Sequence, residues 1–177
     1  MTDQELAAAI ADGKREALEE LIERFHRPVL RYLWHVGGSK EDAEDLATQT
    51  LLKVRAQAHR FRNEGTMQSW VFQIAYREFL HWRRRLAVVH LLTPRREELI
   101  DPPNDDAIVI SQALRRVPLP QRTAFLLTEI EGLSVEEAGL ALGIPTGTVK
   151  SRCHAARKRL QLLLGSTYGD KHVEPIA

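Results

Sequence analysis

The sequence predicts an all-α fold: two small helical domains joined by a flexible linker, the second of them with a helix-turn-helix. Three observations lead to this prediction. Apolar residues recur at steps of three and four along most of the chain, and residues with capping or helix-breaking chemistry separate these segments. Near the middle of the 177 residues, the helical pattern gives way to a polar stretch interrupted by prolines.

The first predicted domain, residues 1–86, begins with a capped helix. Thr2 and Glu5 have the spacing of a capping box, in which each side chain satisfies a backbone donor of the other residue. The next apolar pattern meets Pro28, which lacks a backbone donor and clashes with the preceding helical turn. We therefore expect a break at this proline and a new helix over residues 28–36.

Two longer helices complete the first predicted domain. Ser39, with Asp42 three residues further on, marks the start of a helix whose apolar face continues to Phe61. Ser69 opens the other helix, which ends in a run of three arginines at residues 83–85. Both patterns have the period of a helix with one buried face.

The polar stretch defines the rest of the domain organisation. We assign residues 87–111 to the linker, 112–165 to the second domain and 166–177 to a tail. Extended at about 3.3 Å per residue, the 26 residues 86–111 would reach roughly 85 Å. That length would allow the two domains to lie well apart.

The second domain carries the pattern of a helix-turn-helix. Ser134 and Glu137 fit a capping box that opens a short helix, and a turn at residues 143–145 precedes a second helix. One face of this second helix is apolar and consists of Val149, Cys153, Ala156 and Leu160. The opposite face offers hydrogen-bond donors for base edges and phosphates, namely Thr148, Lys150, Ser151, Arg152, His154, Arg157 and Lys158.

The net charge is only +1, but basic and acidic side chains are concentrated in different parts of the sequence. Residues 145–160 hold five basic side chains and no acid, and residues 76–96 hold six arginines against one glutamate. Surfaces that face nucleic-acid phosphates have this property. With no apolar run of membrane-spanning length, no signal-peptide pattern and a single cysteine, we expect a cytoplasmic protein without membrane insertion.

Two other interpretations fit parts of the sequence. Glu23 with His26, and Glu78 with His81, have the Glu-x-x-His spacing of di-iron sites in helical bundles, although a nearby proline and an arginine run disfavour a metal. The other interpretation is a helix-turn-helix regulator whose N-terminal domain only dimerises. The remaining histidines show no metal-ligand spacing with Cys153, so we expect neither a metal nor a cofactor.

The motifs resemble those of extracytoplasmic-function (ECF) sigma factors, in order and in spacing. The segments similar to region 2 of that family are residues 42–46, 61–62, 69–70, 74–75 and 83–85. The segments similar to region 4 are residues 119–122, 131–138, 143–144, 147–152 and 156–160. The resemblance departs at Arg77 and His81, where asparagine and aspartate are common, at Thr48-Gln49 and at Cys153.

The resemblance implies a function. A protein of this family is not an enzyme: it binds core RNA polymerase, directs it to −10 and −35 promoter elements, assists melting of the duplex and is held inactive by an anti-sigma factor. The implied polymerase contacts are the clamp helices of the largest subunit and the flap of the second-largest. The residues implied for core-polymerase binding are Asp42, Asp45, Leu46, Gln49 and Lys53.

The resemblance also divides the DNA contacts between the two domains. The −10 element would be read by Arg62, Asn63, Tyr76, Arg77, His81, Arg84 and Arg85, and the −35 element by the seven polar residues of the second helix-turn-helix helix. Unpaired bases stack on aromatic rings. The candidates for such stacking are Phe61, Trp70, Phe72, Tyr76 and Phe79.

Overall fold

The computed structural model describes residues 1–37, 39–62, 64–92 and 106–165, and within these ranges it contains helices and no strand. The predicted all-α fold is confirmed. The helices are α1 (Asp3–Ala11), α2 (Arg15–Val36), α3 (Lys40–Gln57), α4 (Met67–Leu92), α5 (Asp106–Arg116), α6 (Leu119–Phe125), α7 (Val135–Leu142) and α8 (Thr146–Gly165). A 3-10 turn, Ala58–Arg60, follows α3, and a π-helical segment, Leu126–Ile130, continues α6.

The predicted helix caps are present. The Thr2 hydroxyl accepts a hydrogen bond from the Glu5 backbone N–H at 3.2 Å, and the Glu5 carboxylate accepts one from the Thr2 N–H at 2.8 Å. The hydrogen bond that the Glu5 carboxylate accepts from the Thr2 backbone lowers the pKa of Glu5, and the Thr2 side chain lowers it further. Ser39 caps α3 by accepting a hydrogen bond from the Asp42 N–H at 3.1 Å. Each cap satisfies a donor that a helix N-terminus leaves without an intrahelical partner.

The expected break at Pro28 is wrong, because α2 runs without interruption from Arg15 to Val36. The proline costs about 3 kcal/mol in lost hydrogen bonding and steric clash. Burial along the same helix outweighs this cost: Phe25, Val29 and Leu33 are each no more than 3% exposed. Burying side chains of this size contributes about 1.5–3 kcal/mol each. Tertiary packing therefore overrides the local preference for a break.

α2, α3 and α4 pack around one core in the N-terminal domain. The Tyr32 and Phe72 rings meet edge to face with their centroids 5.3 Å apart, an arrangement that aromatic quadrupoles favour. α1 closes one end of this core and also holds the start of α4, since the Asp3 carboxylate accepts a hydrogen bond from the Met67 N–H at 2.7 Å. α4 thus begins at Met67, two residues before the predicted Ser69.

The linker is shorter than its predicted bounds. α4 continues to Leu92 and α5 begins at Asp106, so helix occupies both ends of the stretch 87–111. Residues 93–105, which include the prolines on which the linker prediction depends, lie outside the described residues, as does the tail 166–177. Composition alone did not show that helix extends into both ends of the predicted linker.

In the C-terminal domain, α6 and its π-helical continuation pack against α8. The four residues of the predicted apolar face of α8 are buried: Val149, Cys153, Ala156 and Leu160 are at most 8% exposed. Cys153 lies beside the Thr128 hydroxyl, with 3.3 Å between sulfur and oxygen. A buried thiol of this kind packs as a small apolar residue.

The two domains contact each other, although the sequence led us to expect separate bodies. α7 packs along α4, and α2 contacts α5, α6 and the π-helical segment. The contact includes an ion pair between Arg31 of α2 and Glu131, which follows the π-helical segment. The arrangement is therefore one in which the helix-turn-helix rests on the first domain.

We expect Pro28→Ala to raise the free energy of unfolding by about 1–3 kcal/mol, because alanine restores the backbone donor and removes the clash inside α2. Urea denaturation measures the change. As a control on the same helix, Leu33→Ala should lower stability by about 2–5 kcal/mol, since it leaves a cavity in the core. No gain in stability for Pro28→Ala would show that the continuous helix is not strained there.

Candidate nucleic-acid interface

The C-terminal half of the candidate interface is the solvent-facing side of α8. Burial of its apolar side turns Lys150, Ser151, His154 and Lys158 outward, and all four are exposed. Thr148 and Arg152 are half-buried at the first turns. Arg157 is exposed but pairs with Glu129 of the π-helical segment. The structure thus places all seven predicted −35 residues on or beside one surface.

Two glycines shape the turn that precedes α8. Gly143 ends α7 with a φ of 66°, a left-handed conformation that glycine adopts without strain. Gly139, inside α7, has a different role, since a Cβ there would lie 2.9 Å from the Ile144 carbonyl oxygen. The absence of a side chain at Gly139 is therefore what lets the turn approach α7. The sequence pattern showed the turn and missed this requirement.

The N-terminal half of the candidate interface lies on α4 and the loop before it. Five of the predicted −10 residues are exposed: Arg62, Arg77, His81, Arg84 and Arg85. Tyr76 is half-buried, and Asn63 lies outside the described residues. Phe72 and Phe79 are at most 1% exposed and cannot stack on a base, so the prediction that they are stacking residues is wrong. They face the core because α4 buries the side that packs on α2 and α3.

Phe61 and Trp70 form an aromatic pair at the remaining candidate stacking site. Both are half-buried, and their ring centroids lie 5.5 Å apart. Beside them is a pocket of about 210 Å³, lined by Arg60, Phe61, Arg62, Glu64, Gly65, Thr66, Ser69, Trp70, Gln73 and Leu140. It combines aromatic faces with arginines, which is the chemistry of a site for an unpaired base. Leu140 comes from α7 of the other domain.

The predicted polymerase-binding residues do not form one exposed face. Asp45 and Gln49 of α3 are exposed, and Asp42 is half-buried where it accepts a hydrogen bond from the Ser39 hydroxyl at 2.6 Å. Leu46 is only 1% exposed, so direct contact between its side chain and a partner is contradicted. Leu46 falls on the side of α3 that completes the core.

Lys53, the fifth of these residues, pairs with Glu78 across the gap between α3 and α4. The distance between Nζ and the carboxylate oxygen is 2.5 Å, and the Glu78 side chain is only 8% exposed. A groove of about 620 Å³ lies at this point, lined by Gln49, Lys53, Glu78, His81, Arg84 and Arg85. Two predicted polymerase residues and three predicted DNA residues therefore share one groove, which their separation in sequence concealed.

The interdomain interface includes several polar contacts. Arg31 donates two hydrogen bonds to the Glu131 carboxylate, at 2.9 and 2.6 Å, and Gln68 donates one to the Glu131 backbone carbonyl at 2.8 Å. The Glu131 side chain is 1% exposed and that of Arg31 is 44% exposed. The bond between Arg31 and Glu131 raises the pKa of Arg31, so this cation stays charged.

A second part of this interface buries charge without an opposing carboxylate. Burial, together with the charges of Arg115 and Arg83, lowers the pKa of Arg122 to about 10. Arg122 donates to the Leu114 carbonyl at 3.2 Å, while its Nε and the buried Tyr32 hydroxyl have no hydrogen-bond partner in the described part of the chain. Unsatisfied polar atoms of this kind cost free energy as long as the domains stay in contact.

The described residues give no support to the interpretation as a di-iron site. Within the described ranges, no group of three or more histidine, cysteine, aspartate or glutamate side chains could hold a metal ion. Of the two Glu-x-x-His pairs, Glu23 is exposed on α2 and Glu78 pairs with Lys53. Among the helices described, none is both long enough and apolar enough to cross a membrane.

The fold and this surface define a DNA-binding protein with a helix-turn-helix. Comparison with known proteins then identifies the family. The model of Sigma-70 region 2 matches residues 21–88, and that of Sigma-70, region 4 matches residues 108–160. The chain belongs to the ECF RNA polymerase sigma factors of the sigma-70 family, and the region 2 match disfavours the alternative in which the N-terminal domain only dimerises.

Individual relatives agree with this assignment. The chain is similar to the ECF RNA polymerase sigma factor SigM of Mycobacterium tuberculosis (strain ATCC 25618 / H37Rv), with 35% identity over 170 residues that cover 93% of this chain and 85% of that protein. Its similarity to SigE of Mycolicibacterium smegmatis is 30% over 176 residues, covering 90% and 68%. Among solved structures, RpoE from Bartonella quintana, in complex with the anti-sigma factor NepR, aligns with a TM-score of 0.76 and 26% identity, covering 86% of this chain and 98% of that one.

His35, at the interdomain interface, gives a pH prediction. Its ring stacks on Trp34, and its Nδ1 lies 3.1 Å from the Ser111 hydroxyl. Burial first, and then the charges of Arg31 and Arg115, lower the pKa of His35. The unfolded chain therefore binds a proton here more readily than the folded one, so the free energy of unfolding should fall as the pH drops below about 6.5.

The measurement is urea denaturation at pH 7.5 and 5.5 for the native protein and for His35→Gln. Glutamine keeps a hydrogen-bond acceptor for Ser111 and does not titrate in this range. The variant should lose part of the difference in stability between the two pH values. An identical difference in both proteins would contradict the assignment of that pH dependence to His35.

Proposed function

We propose that this ECF sigma factor binds core polymerase and the −10 element through its N-terminal domain and the −35 element through α8. The observation that supports the division most strongly is the outward basic face of α8. It carries five exposed donor side chains, with Thr148 and Arg152 half-buried beside them; α8 has no acid, and its opposite side is buried. Arginine and lysine at the start of such a helix reach base edges and phosphates in the major groove.

We further propose that the N-terminal domain opens the −10 element by binding single strands better than duplex. Extruding a base costs a few kcal/mol, and stacking on an aromatic ring returns about 1–3 kcal/mol per base. The pocket beside Phe61 and Trp70 offers aromatic faces together with Arg60 and Arg62. This step requires no nucleophile and no metal chemistry, so we propose that the protein is not an enzyme.

For the polymerase, we propose that the exposed Asp45 and Gln49 of α3 contact the clamp helices of the largest subunit. Leu46 would support this surface from beneath, since it packs in the core. The flap of the second-largest subunit would contact the C-terminal domain. Because Lys53 already holds Glu78, we assign it to fixing the spacing of α3 and α4 rather than to direct binding.

We also propose an anti-sigma factor as a partner and the cytoplasm as the location. The Bartonella relative is described in complex with the anti-sigma factor NepR, which supports a partner of the same kind here. A factor that acts on core polymerase works where the polymerase is. The single cysteine is in keeping with a reducing compartment.

Run-off transcription with core RNA polymerase and a library of promoter fragments tests the proposal. Purified protein should co-elute with core polymerase and produce transcripts from a subset of fragments that share −10 and −35 sequences. Core polymerase alone is the control. Failure to co-elute in the absence of any inhibitor would refute the proposed function.

Two arginines should differ in how they contribute to promoter binding. Arg152→Ala should weaken binding by about 1–3 kcal/mol and relax specificity within the −35 element, because a base contact is lost. Arg85→Ala should weaken binding to all sequences alike and reduce the salt dependence by about one charge, because a phosphate contact is lost. Binding of the holoenzyme to promoters mutated one position at a time measures both effects. Equal loss on every sequence for Arg152→Ala would refute its assigned role.

A further inference from the structure

We propose that Glu129, which lies outside the helix-turn-helix, is a positioning residue for recognition of the −35 element. It acts through Arg157, because it holds the guanidinium in one direction at the edge of the DNA-facing side of α8. Arg157 thereby becomes an oriented contact for a DNA phosphate. The inference rests on the proposed function of α8, and it adds an acidic residue to that site.

The ion pair between Arg157 and Glu129 joins the DNA-facing side of α8 to the π-helical segment. A terminal nitrogen of the Arg157 guanidinium donates to the Glu129 carboxylate. The two side chains are 52% and 37% exposed, so a DNA backbone can still reach the guanidinium. α8 itself contains no acid, and its exposed Lys150 and Lys158 form no ion pair within the described ranges. The carboxylate therefore acts on one particular cation of this surface.

The backbone that carries Glu129 is packed against α8. Leu126, at the start of the π-helical segment, is fully buried, and its carbonyl accepts a hydrogen bond from the Glu131 N–H at 2.9 Å, the five-residue spacing of a π-helix. The Thr128 hydroxyl lies 3.3 Å from the Cys153 sulfur, one turn before the paired arginine on α8. Short π-helical segments are rare and frequently lie at functional sites. The carboxylate is thus held beside α8 by a packed segment.

An arginine that is paired in this way can still bind a phosphate. The guanidinium has five N–H donors in a planar fork, and the contact with Glu129 occupies one terminal nitrogen. The remaining donors can form hydrogen bonds to a phosphate oxygen. A free arginine side chain loses rotamer freedom when it makes such a contact, whereas one that is already held loses less. The pair therefore weakens the general attraction to phosphate and favours a contact in one direction.

The position of Arg157 suits a contact that fixes the register of α8 on DNA. Arg157 lies seven residues, or about 10 Å, beyond Lys150 along the same side of the helix. The first turns of such a helix contact base edges, so Arg157 falls nearer the phosphate backbone. Phosphate contacts fix the orientation of a protein on the duplex, and base contacts read the sequence. An oriented Arg157 would therefore hold α8 in the register in which Arg152 contacts its base.

Repulsion and positioning by Glu129 predict effects of opposite sign. If the carboxylate simply repelled DNA, Glu129→Ala would strengthen binding to every sequence. If it positions Arg157, Glu129→Ala should weaken binding to a promoter with an intact −35 element by about three- to tenfold, the effect of one newly mobile side chain. Binding to a fragment with a scrambled −35 element should stay at least as strong as that of the native protein.

The experiment uses holoenzyme assembled from core RNA polymerase and the full-length protein. The probes are two fluorescein-labelled duplexes: a promoter fragment selected in the run-off assay, and the same fragment with its −35 element scrambled. Fluorescence anisotropy gives the affinity for each duplex, and the ratio of the two affinities should fall about three- to tenfold in Glu129→Ala. Circular dichroism and thermal melting of the free variant should match the native protein, because an exposed ion pair contributes little to stability.

Three further variants make the result specific. Glu136→Ala removes an equal charge from an exposed position on α7, and it should leave the ratio unchanged. Arg157→Lys keeps the positive charge but lacks the planar fork, so it should lower the ratio as Glu129→Ala does and tests the same contact from its other side. In an Arg157→Ala background, the addition of Glu129→Ala should not change the ratio further, because no guanidinium remains to be positioned.

The possible outcomes separate this inference from the proposed function. An unchanged or raised ratio in Glu129→Ala would overturn the inference, and so would a further fall when Glu129→Ala is added to Arg157→Ala. Equal affinity of the native holoenzyme for the two duplexes would refute the proposed role of α8, and the inference with it. The first failure appears in the variants alone, whereas the second already appears in the native protein.

Discussion

The packing of α4 against α2 and α3 is the constraint on which the rest of the structure depends. Phe72 and Phe79 of α4 are buried in the N-terminal core, and their burial fixes the rotation of the helix. Because a helix repeats every 3.6 residues, that rotation turns Arg77, His81 and Arg84 toward solvent. The same helix also receives α7. The burial of one face of α4 thus determines which of its residues form the candidate DNA surface and where α7 of the second domain packs.

Charge on this molecule is arranged in two ways with different consequences. On α8, basic side chains share one exposed face, where they remain available to phosphates and bases. At the interdomain interface, charges are paired or buried, as in the contact of Arg31 with Glu131. The exposed charges suit an external ligand, and the buried ones respond to whether the domains are in contact.

Sequence patterns predicted what local chemistry determines. The capping boxes and the apolar face of α8 were read correctly, because caps and helical periodicity involve residues three or four apart. The prediction at Pro28 failed because packing of distant residues outweighed a local preference. Leu46 was assigned to an outward contact by resemblance alone, and its burial contradicts that assignment. The contact of Arg31 with Glu131 joins residues 100 positions apart, so no local pattern could show it.

The hydrogen bond from the Met67 N–H to Asp3 ties the beginning of the chain to the beginning of α4. A carboxylate at that position satisfies a free donor and complements the positive end of the helix dipole. The aromatic pocket lies within the next turn of α4. The first residues of α1 accordingly support the start of α4 beside that pocket, and a tag or truncation that displaces α1 would change the shape of the pocket without altering any residue that lines it.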